Sequence, residues 1–296
     1  MTRAGTVTVV GKPNSGKSTL LNRIVGQKLS ITSAKPQSTR DRIVGIHTDA
    51  DTQMIIADTP GLLNPKYALQ RAMRATAIAA LEDADVIVHL VDGTDGPPVS
   101  LQDAAELTRD PKAPVLTVIN KVDAIRDRPL AELSRSHPDA LLVSALTGAG
   151  VEQLLAAIRE HLPESPFLYP EDEVGTQSLR FFAAELVRET ALEQLSDEVP
   201  YSVACEIEEF REERRPIYIR AVIYVERDSQ KGILIGQKGS RLREIGTRAR
   251  GKIEQLVGAP VYLDLWVKVL ENWRRNAHSL KRFGYTVPTT RADHRK

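Results

Sequence analysis

The first residues that could do chemistry form a glycine-rich segment near the start of the chain. Residues 11–18 read GKPNSGKS, which matches the phosphate-loop pattern G-x-x-x-x-G-K-[ST] at every position. The backbone N–H groups of such a loop surround phosphates at a helix N-terminus, while the lysine adds a positive charge and the serine hydroxyl ligates Mg²⁺. The segment predicts a nucleotide phosphate site made of Gly11, Lys12, Pro13, Asn14, Ser15, Gly16, Lys17 and Ser18.

Residues 120–123, which read NKVD, could distinguish guanine from adenine. Guanine presents N1–H and an exocyclic amine on one edge, and the carboxylate of Asp123 can accept both hydrogen bonds, whereas adenine has no such pair of donors. The Ala145 backbone N–H can donate to guanine O6. These features predict GTP and GDP as ligands, and a P-loop ATPase is the alternative that Asp123 opposes. The predicted base-binding residues are Asn120, Lys121, Val122, Asp123, Ser144, Ala145 and Leu146.

Residues between these two patterns could respond to the γ-phosphate. Asp58 offers a carboxylate for Mg²⁺, and the Gly61 N–H could bond the γ-phosphate, a contact that hydrolysis removes. The polar segment 31–42 offers a hydroxyl, for which we choose Thr39 and keep Ser38 as the alternative. The predicted Mg²⁺ ligands are Ser18, Thr39 and Asp58, the predicted catalytic residues are Asn14, Lys17, Thr39 and Gly61, and Thr59, Pro60 and Leu62 complete the nucleotide-binding set.

Alternating apolar runs and amphipathic segments must position these residues. The alternation predicts an α/β domain with a mostly parallel six-stranded sheet. A polar triplet at residues 49–51 predicts a hairpin, and therefore one antiparallel edge strand. The predicted strands are residues 6–10, 42–48, 54–57, 86–91, 115–120 and 141–144.

Three prolines in residues 163–170 interrupt the helical pattern and predict an interdomain linker. We therefore divide the chain into a nucleotide-binding domain at residues 1–165, a linker at 166–176 and a second domain at 177–296. The second domain follows the order helix, strand, strand, helix, helix, strand, which predicts a small α+β fold.

The charge of the chain is unevenly distributed. The whole chain has 40 basic and 39 acidic residues, but residues 166–213 hold three arginines against 13 acids, and residues 214–296 hold 19 basic residues against seven acids. The basic segment favours a polyanionic partner. The alternative is a solvated face whose charge is offset by the neighbouring acidic segment.

The remaining composition excludes several classes. No apolar run reaches the roughly 18 residues of a membrane span, and we expect a cytoplasmic protein with no signal peptide. The single Cys205 cannot form an internal disulfide. His89 is predicted to be a core histidine and Trp266 a core or domain-contact residue, while Trp273 is either a structural residue or one on which a base could stack.

The nucleotide motifs resemble the five motifs of translation-factor-class GTPases, which implies a P-loop GTPase domain. The sequence departs from the Ras pattern at Leu62, because Ras-like proteins carry there the glutamine that orients the attacking water. The resemblance therefore implies slow intrinsic hydrolysis. Related GTPases with an asparagine at the position of Asn14 use it to bind K⁺, so K⁺ is a candidate cofactor, and the alternative is that Asn14 only shapes the loop.

The second domain resembles a type II KH domain, whose Gly-x-x-Gly loop clamps a nucleic-acid backbone between two helices. This resemblance implies RNA binding by Lys231, Ile235, Gly236, Gln237, Lys238, Gly239, Arg241 and Arg243, and Ile233, Ile235 and Ile245 could form the floor of a groove for unstacked bases.

Together the two halves resemble the Era family of bacterial GTPases over residues 5–287. The resemblance implies a monomer that binds the 3′ end of 16S ribosomal RNA and assists maturation of the 30S subunit, with peripheral contact to the inner membrane and no DNA binding. The alternative is an RNA-binding assembly factor in which GTP is mainly structural.

Overall fold

The computed structural model describes residues 1–33, 35–95, 98–125, 130–196, 199–213 and 215–288. Its contacts divide the chain into two compact units. The first comprises residues 1–66 and 70–176, and the second comprises residues 67–69 and 177–296.

The first unit is built on a six-stranded sheet in the spatial order β2-β3-β1-β4-β5-β6. Neighbouring strands pair in parallel except at the β2–β3 hairpin, which makes β2 an antiparallel edge strand. The predicted sheet is therefore confirmed. The strands are β1 (Arg3–Val10), β2 (Ile43–Thr48), β3 (Thr52–Asp58), β4 (Val86–Asp92), β5 (Val115–Asn120) and β6 (Leu141–Leu142).

Helices connect these strands and cover the sheet. Parallel strands need such crossovers, which leave both faces of the sheet buried. In β3 every residue is buried, including Asp58 at its carboxyl end. The helices are α1 (Lys17–Val25), α2 (Ala68–Glu82), α3 (Leu101–Ala105), α4 (Leu130–Ser136) and α5 (Val151–His161), with a 3₁₀ turn at Val122–Ala124.

The segment predicted as a linker, residues 166–176, lies along the β2–β3 edge of the first unit. The Gln53 side-chain amide donates to the Tyr169 carbonyl at 2.9 Å and accepts from the backbone N–H groups of Leu168 and Tyr169. The Ile46 N–H donates to the Val174 carbonyl at 3.0 Å. These hydrogen bonds hold the segment beside the sheet, and it makes a turn in which the Glu173 N–H donates to the Pro170 carbonyl.

The second unit is a three-stranded sheet in the order β7-β8-β9, with helices packed on one face. Strand β7 pairs antiparallel to β8, and β9 pairs parallel to β8, so the chain must cross over between β8 and β9. The predicted order of elements is confirmed: α6 (Leu179–Gln194), β7 (Ala204–Arg211), β8 (Ile217–Val225), α8 (Asp228–Ile235), α9 (Ser240–Val257) and β9 (Val261–Val269).

Two short helices, α7 (Val199–Ser202) and α10 (Ala277–Arg282), were not predicted. Both are too short to show a periodic apolar pattern, so tertiary contacts decide them. The Asn276 side chain caps α10 by accepting from the His278 and Ser279 N–H groups. Among the described residues, no helix combines the length and the hydrophobicity required to cross a bilayer.

The structure decides between the alternatives for the two tryptophans. Trp273 is fully buried and its indole N–H donates to the Ser202 carbonyl at 2.8 Å, so it is structural and does not offer its ring to a base. Trp266 is 54% exposed, so it is not a core residue, and the domain-contact alternative stays a prediction. Residues alternate between the two faces of β9, and Trp266 lies on the face opposite Leu265 and Val267.

Candidate nucleotide and RNA sites

The phosphate loop, residues 11–16, connects the carboxyl end of β1 to the first turn of α1. Asn14 and Gly16 have positive φ angles of 64° and 97°, which turn the loop sharply before the helix begins. The Lys17 ammonium folds back to donate to the carbonyls of Gly11, at 3.2 Å, and Lys12, at 2.9 Å. This arrangement is typical of a loop that surrounds an anion at a helix N-terminus.

A cleft of about 490 Å³ opens in front of this loop. It joins residues that are far apart in the sequence, since the polar segment after α1 and Lys121 of the predicted guanine-binding loop, residues 120–123, both reach it. The lining residues are Pro13, Asn14, Gly16, Lys17, Ser18, Thr19, Ile31, Thr32, Ser33, Gln37, Ser38, Thr39, Gly61 and Lys121.

A buried cation and a buried carboxyl group face each other beside the cleft. Burial lowers the pKa of Lys17 to about 8, and the negative charge of Asp58 opposes this effect. Burial raises the pKa of Asp58, which the Lys17 charge and the hydroxyl donors counteract. Burial disfavours both charged forms, so each would be stabilised by a partner of opposite charge. Phosphate oxygens would stabilise the Lys17 ammonium, and a divalent cation would stabilise the Asp58 carboxylate.

The hydroxyl groups of Ser18 and Thr39 converge at the Asp58 carboxylate. Its Oδ2 accepts from Ser18 Oγ at 2.7 Å, and the Ser18 and Thr39 hydroxyls lie 2.8 Å apart. Asp58 Oδ1 is buried and has no hydrogen-bond partner among the described residues. Hydroxyl and carboxylate oxygens are the ligands that Mg²⁺ prefers, so this set fits the ion. Ser38, the alternative to Thr39, also lines the cleft.

Asn120 connects the guanine-binding loops to the phosphate loop. Its side-chain nitrogen donates to the Ser15 carbonyl at 2.8 Å, and its side-chain oxygen accepts from the Ala145 N–H at 2.9 Å. The Ser144 hydroxyl donates to Asp123, which orients that carboxylate. The Lys121 ammonium pairs with Asp92. The N–H predicted to meet guanine O6 therefore donates to Asn120 in this structure.

The residues after Asp58 have separate roles. The Thr59 hydroxyl donates to the Val9 carbonyl at 2.8 Å, and Thr59 is fully buried. An ideal Cβ on Gly61 would lie 2.7 Å from the Pro13 backbone nitrogen, so this close approach to the phosphate loop requires glycine.

Leu62 does not line the cleft with its side chain, although the sequence placed it in the nucleotide-binding set. It is 3% exposed and packs in an apolar cluster with Val10, Leu81 and Ile87. Its backbone N–H donates to the Gly11 carbonyl at 2.9 Å. Burial of the leucine side chain removes apolar surface from water and stabilises the fold. The side chain therefore packs in the core rather than against a polar ligand.

The Gly-x-x-Gly loop of the second unit joins α8 to α9. Gly236 and Gly239 have positive φ angles of 71° and 77°, and an ideal Cβ on Gly236 would lie 2.9 Å from the Arg241 Cβ. Lys238 is exposed between them, with a φ of 50°. The turn therefore presents a cation at the N-terminus of α9, which favours a phosphate backbone.

Beyond this loop, a groove of about 430 Å³ runs between α9 and β9. Arg243 and Arg250 are exposed on its rim. Ile245, predicted as part of its floor, is instead fully buried in the core of the unit, while Ile233 is exposed. The lining residues are Gly239, Leu242, Arg243, Gly246, Thr247, Arg250, Tyr262, Leu263 and Leu265.

Two family models match this chain. Residues 6–121 match the family model described as "50S ribosome-binding GTPase", and residues 198–274 match the model described as "KH domain". The chain is 46% identical over 292 residues to GTPase Era of Pseudomonas syringae pv. tomato, which covers 96% of this chain and 97% of that protein. This chain belongs to the Era family of GTPases.

Other Era proteins show the same likeness over their full length. GTPase Era of Carboxydothermus hydrogenoformans is 42% identical over 294 residues, covering 96% of this chain and 98% of that protein. A crystal structure of a point variant of Aquifex aeolicus Era bound to GDP·AlF₄⁻ superposes with a TM-score of 0.89 at 40% identity, over 96% of this chain and 100% of that chain.

A second solved structure contains both a bound nucleotide and a bound RNA. It is Era in complex with MgGDPNP and nucleotides 1506–1542 of 16S ribosomal RNA, and it has a TM-score of 0.89 and 40% identity over 97% of this chain and 100% of that chain. The family resemblance, the fold and the GTPase class expected from the sequence are therefore confirmed.

The sequence pattern missed two residues at the nucleotide site. The Ser30 hydroxyl donates to Asp58 Oδ2 at 2.7 Å, and the Arg23 guanidinium donates to the Ala145 and Leu146 carbonyls. Neither residue belongs to a phosphate-loop or guanine-binding motif. Ser30 reaches Asp58 because the segment after α1 returns to the sheet, and Arg23 reaches residues 145 and 146 from within α1. Both contacts join segments far apart in sequence, so no local signal could have identified them.

Proposed function

We propose that this chain is a GTP-hydrolysing switch that binds the 3′ end of 16S ribosomal RNA and assists assembly of the 30S subunit. The observation that carries the proposal is the convergence of Ser18, Thr39 and Asp58 beside Lys17, in a chain that also carries a basic KH groove. A relative with the same two units holds MgGDPNP and 16S RNA nucleotides together.

In this proposal the phosphate loop and Lys17 bind the β- and γ-phosphates, and Asp123 selects guanine. Water attacks the γ-phosphorus, the bond to the oxygen shared with the β-phosphate breaks, and GDP and phosphate result. Lys17 and the Gly61 N–H stabilise the charge that develops on the phosphate oxygens. Ser18, Thr39 and Asp58 would hold Mg²⁺, which supplies further positive charge to those oxygens when bound.

The burial of Leu62 supports slow intrinsic hydrolysis, since no water-orienting side chain follows Gly61. We infer that Asn14, which lines the cleft, helps to bind K⁺ beside the phosphates. K⁺ would then supply the charge that an arginine provides in other GTPases.

The RNA-binding set of this proposal is the Gly236–Gly239 loop with Lys231, Ile235, Arg241 and Arg243. The functional division is a GTPase domain at residues 1–165, a connecting segment at 166–176 and a KH domain from residue 177. The protein acts as a cytoplasmic monomer that does not bind DNA, and its contact with the membrane is peripheral.

The experiment is a GTP turnover assay in K⁺ or Na⁺ buffer. It is run with and without an RNA that comprises nucleotides 1506–1542 of 16S ribosomal RNA. We expect turnover to rise with K⁺ and with RNA. A Gly236→Asp/Gly239→Asp variant should lose RNA binding and RNA stimulation but keep GTP binding. Unchanged RNA affinity in that variant would refute the RNA assignment.

Leu62 also favours a second candidate function, an RNA-binding assembly factor in which GTP is mainly structural. This function predicts that neither K⁺ nor RNA raises turnover, although GTP still stabilises the fold. The same assay separates the two functions, and Asp123→Asn tests the base. That variant should prefer xanthine nucleotides, whereas an unchanged preference would favour an ATPase.

A further inference from the structure

The loops at the carboxyl ends of β4 and β5 contact each other directly. Asp92 and Asn120 end these neighbouring strands and are partners in their register. The Gly93 N–H donates to the Asn120 carbonyl at 2.9 Å, and an ideal Cβ on Gly93 would lie 2.9 Å from the same oxygen. The loop after β4 therefore supports the guanine-binding loop, although it belongs to none of the nucleotide motifs.

Lys121, in the guanine-binding loop, has an unusual backbone conformation. Its φ is 64°, in the left-handed region that is unfavourable for a residue with a Cβ. Such strain persists where surrounding contacts fix the residue, and it is concentrated at binding sites. The Lys121 carbonyl accepts from the Ala124 N–H at 2.9 Å, and its ammonium reaches the Asp92 carboxylate at the end of β4. Because Lys121 also lines the cleft, the side chain that forms this pair borders the expected nucleotide site.

The Asp92 carboxylate is held in one orientation by its own loop. Its side chain is 10% exposed, and its Oδ1 accepts from the Thr94 N–H at 3.0 Å and from the Thr94 hydroxyl at 2.7 Å. Its Oδ2 accepts from the Lys121 ammonium. Burial raises the pKa of Asp92, but the hydrogen bonds from Lys121 and Thr94 outweigh burial and lower it below its usual value. The group is therefore a charged and oriented acceptor for one cation.

A lysine side chain in such a pair is fixed at both ends. Its methylene stem can pack along the flat face of a base while its charged end stays with the carboxylate. Without that partner, the ligand itself would have to order the side chain, which costs conformational entropy on binding. We propose that Asp92 is a positioning residue for guanine nucleotides, which acts by holding Lys121 over the base. This inference rests on the proposed base-binding role of residues 120–123.

A double-mutant cycle tests whether Asp92 acts through Lys121. Asp92→Asn removes the charge but keeps an oxygen for Thr94, and Lys121→Met removes the ammonium but keeps an apolar stem. Calorimetric titration of the full chain with GDP and Mg²⁺ measures the affinity. Each single variant should bind GDP about tenfold more weakly, the loss expected for one charge-assisted hydrogen bond. The double variant should show the same loss of about tenfold, because either change alone already breaks the pair.

Asp95 offers a matched control in the same loop. It is an exposed carboxylate three residues after Asp92, and its N–H donates to the Asp92 carbonyl at 3.1 Å. Asp95→Asn should leave GDP affinity within about twofold of that of the unmodified chain. All the variants should melt within about 4 °C of the unmodified chain, since a partly exposed ion pair contributes little to stability.

Three results would overturn this inference and leave the proposed function standing. Unchanged GDP affinity of Asp92→Asn would show that the pair does not matter for binding. Tighter binding would show that Asp92 holds Lys121 away from the ligand. Independent losses that multiply to about a hundredfold in the double variant would show that Asp92 does not act through Lys121.

Two further outcomes have a defined meaning. If Asp92→Asn did not fold, Lys121→Met alone would decide, because it breaks the same pair, and unchanged GDP affinity would overturn the inference. If the unmodified chain bound no GDP, the proposed base-binding role would fail, and this inference would fail with it.

Discussion

Asn120 donates a hydrogen bond from its side-chain nitrogen to the carbonyl oxygen of Ser15, across 2.8 Å. The approach is so close that an ideal Cβ on Gly16 would lie 2.2 Å from the same nitrogen. The phosphate loop and the guanine-binding loop are therefore in direct contact, and a change in one should alter the other.

Gly16→Ala should reduce affinity for both GTP and GDP at least about tenfold. The new methyl group displaces Asn120, and alanine is strained at a φ of 97°, so the free energy of unfolding should fall by about 2–4 kcal/mol. Denaturant unfolding and nucleotide titration measure both effects. Gly26→Ala is the control, because its φ is 74° but nothing lies within 4 Å; it should cost only about 1–2 kcal/mol and keep nucleotide affinity. Equal effects of the two variants would contradict the argument.

Leu62→Gln should not accelerate GTP hydrolysis, although it restores the residue type of Ras-like proteins. The side chain lies in the apolar cluster with Val10 and Leu81, so the amide would be buried without partners and should cost about 1–3 kcal/mol of stability. Single-turnover kinetics and denaturant unfolding test this. Leu62→Met, which keeps the volume and the polarity, should cost less than about 1.5 kcal/mol. Faster hydrolysis by Leu62→Gln would show that this side chain reaches the γ-phosphate.

Nucleotide binding should take up protons near pH 8. The pKa of Lys17 is lowered to about 8 in the nucleotide-free fold, so about half of this group is neutral at pH 8, whereas phosphate oxygens favour the charged ammonium. Binding of Mg²⁺ and GDP should therefore take up about half a proton at pH 8 and about a tenth at pH 7. Affinity should fall as the pH rises through 8.

Calorimetry of GDP binding in two buffers of different ionisation enthalpy measures this uptake. The titration at pH 7 serves as the internal control, because Lys17 is already mostly protonated there. Equal heats in both buffers at pH 8 would mean that the pKa of Lys17 is not lowered. The sign also applies to folding: between pH 8 and 10.5 the unfolded chain binds more protons at this lysine, so its burial destabilises the fold least at high pH.

The two tryptophans should be distinguishable by fluorescence. Trp273 is fully buried, with its ring 5.2 Å from that of Phe283, whereas Trp266 is half exposed. Trp266→Phe should remove most of the emission that acrylamide quenches, with little change in stability. Trp273→Phe should leave that emission but cost about 1–3 kcal/mol, because the Ser202 carbonyl loses its donor. Strong quenching that survives Trp266→Phe would contradict the burial of Trp273.

Much of this protein could be predicted from short stretches of sequence. The parallel sheet follows from alternating apolar runs, and the phosphate and guanine motifs are contiguous segments whose spacing specifies the ligand. The Gly-x-x-Gly turn between two helices is equally local. These features depend on backbone periodicity and on neighbouring residues, so they can be read without knowledge of the fold.

Contacts between distant segments were decided only by the tertiary structure. Leu62 packs into the core, Ser30 donates to Asp58, and the Ala145 N–H donates to Asn120. The different exposures of Trp266 and Trp273 could likewise not be predicted from the sequence. The sequence by itself determined the nucleotide chemistry and the order of elements, because both depend on local pattern. Which face of an element is buried, and which donor meets which acceptor, depends on how elements far apart in sequence come together, and only the fold decides this.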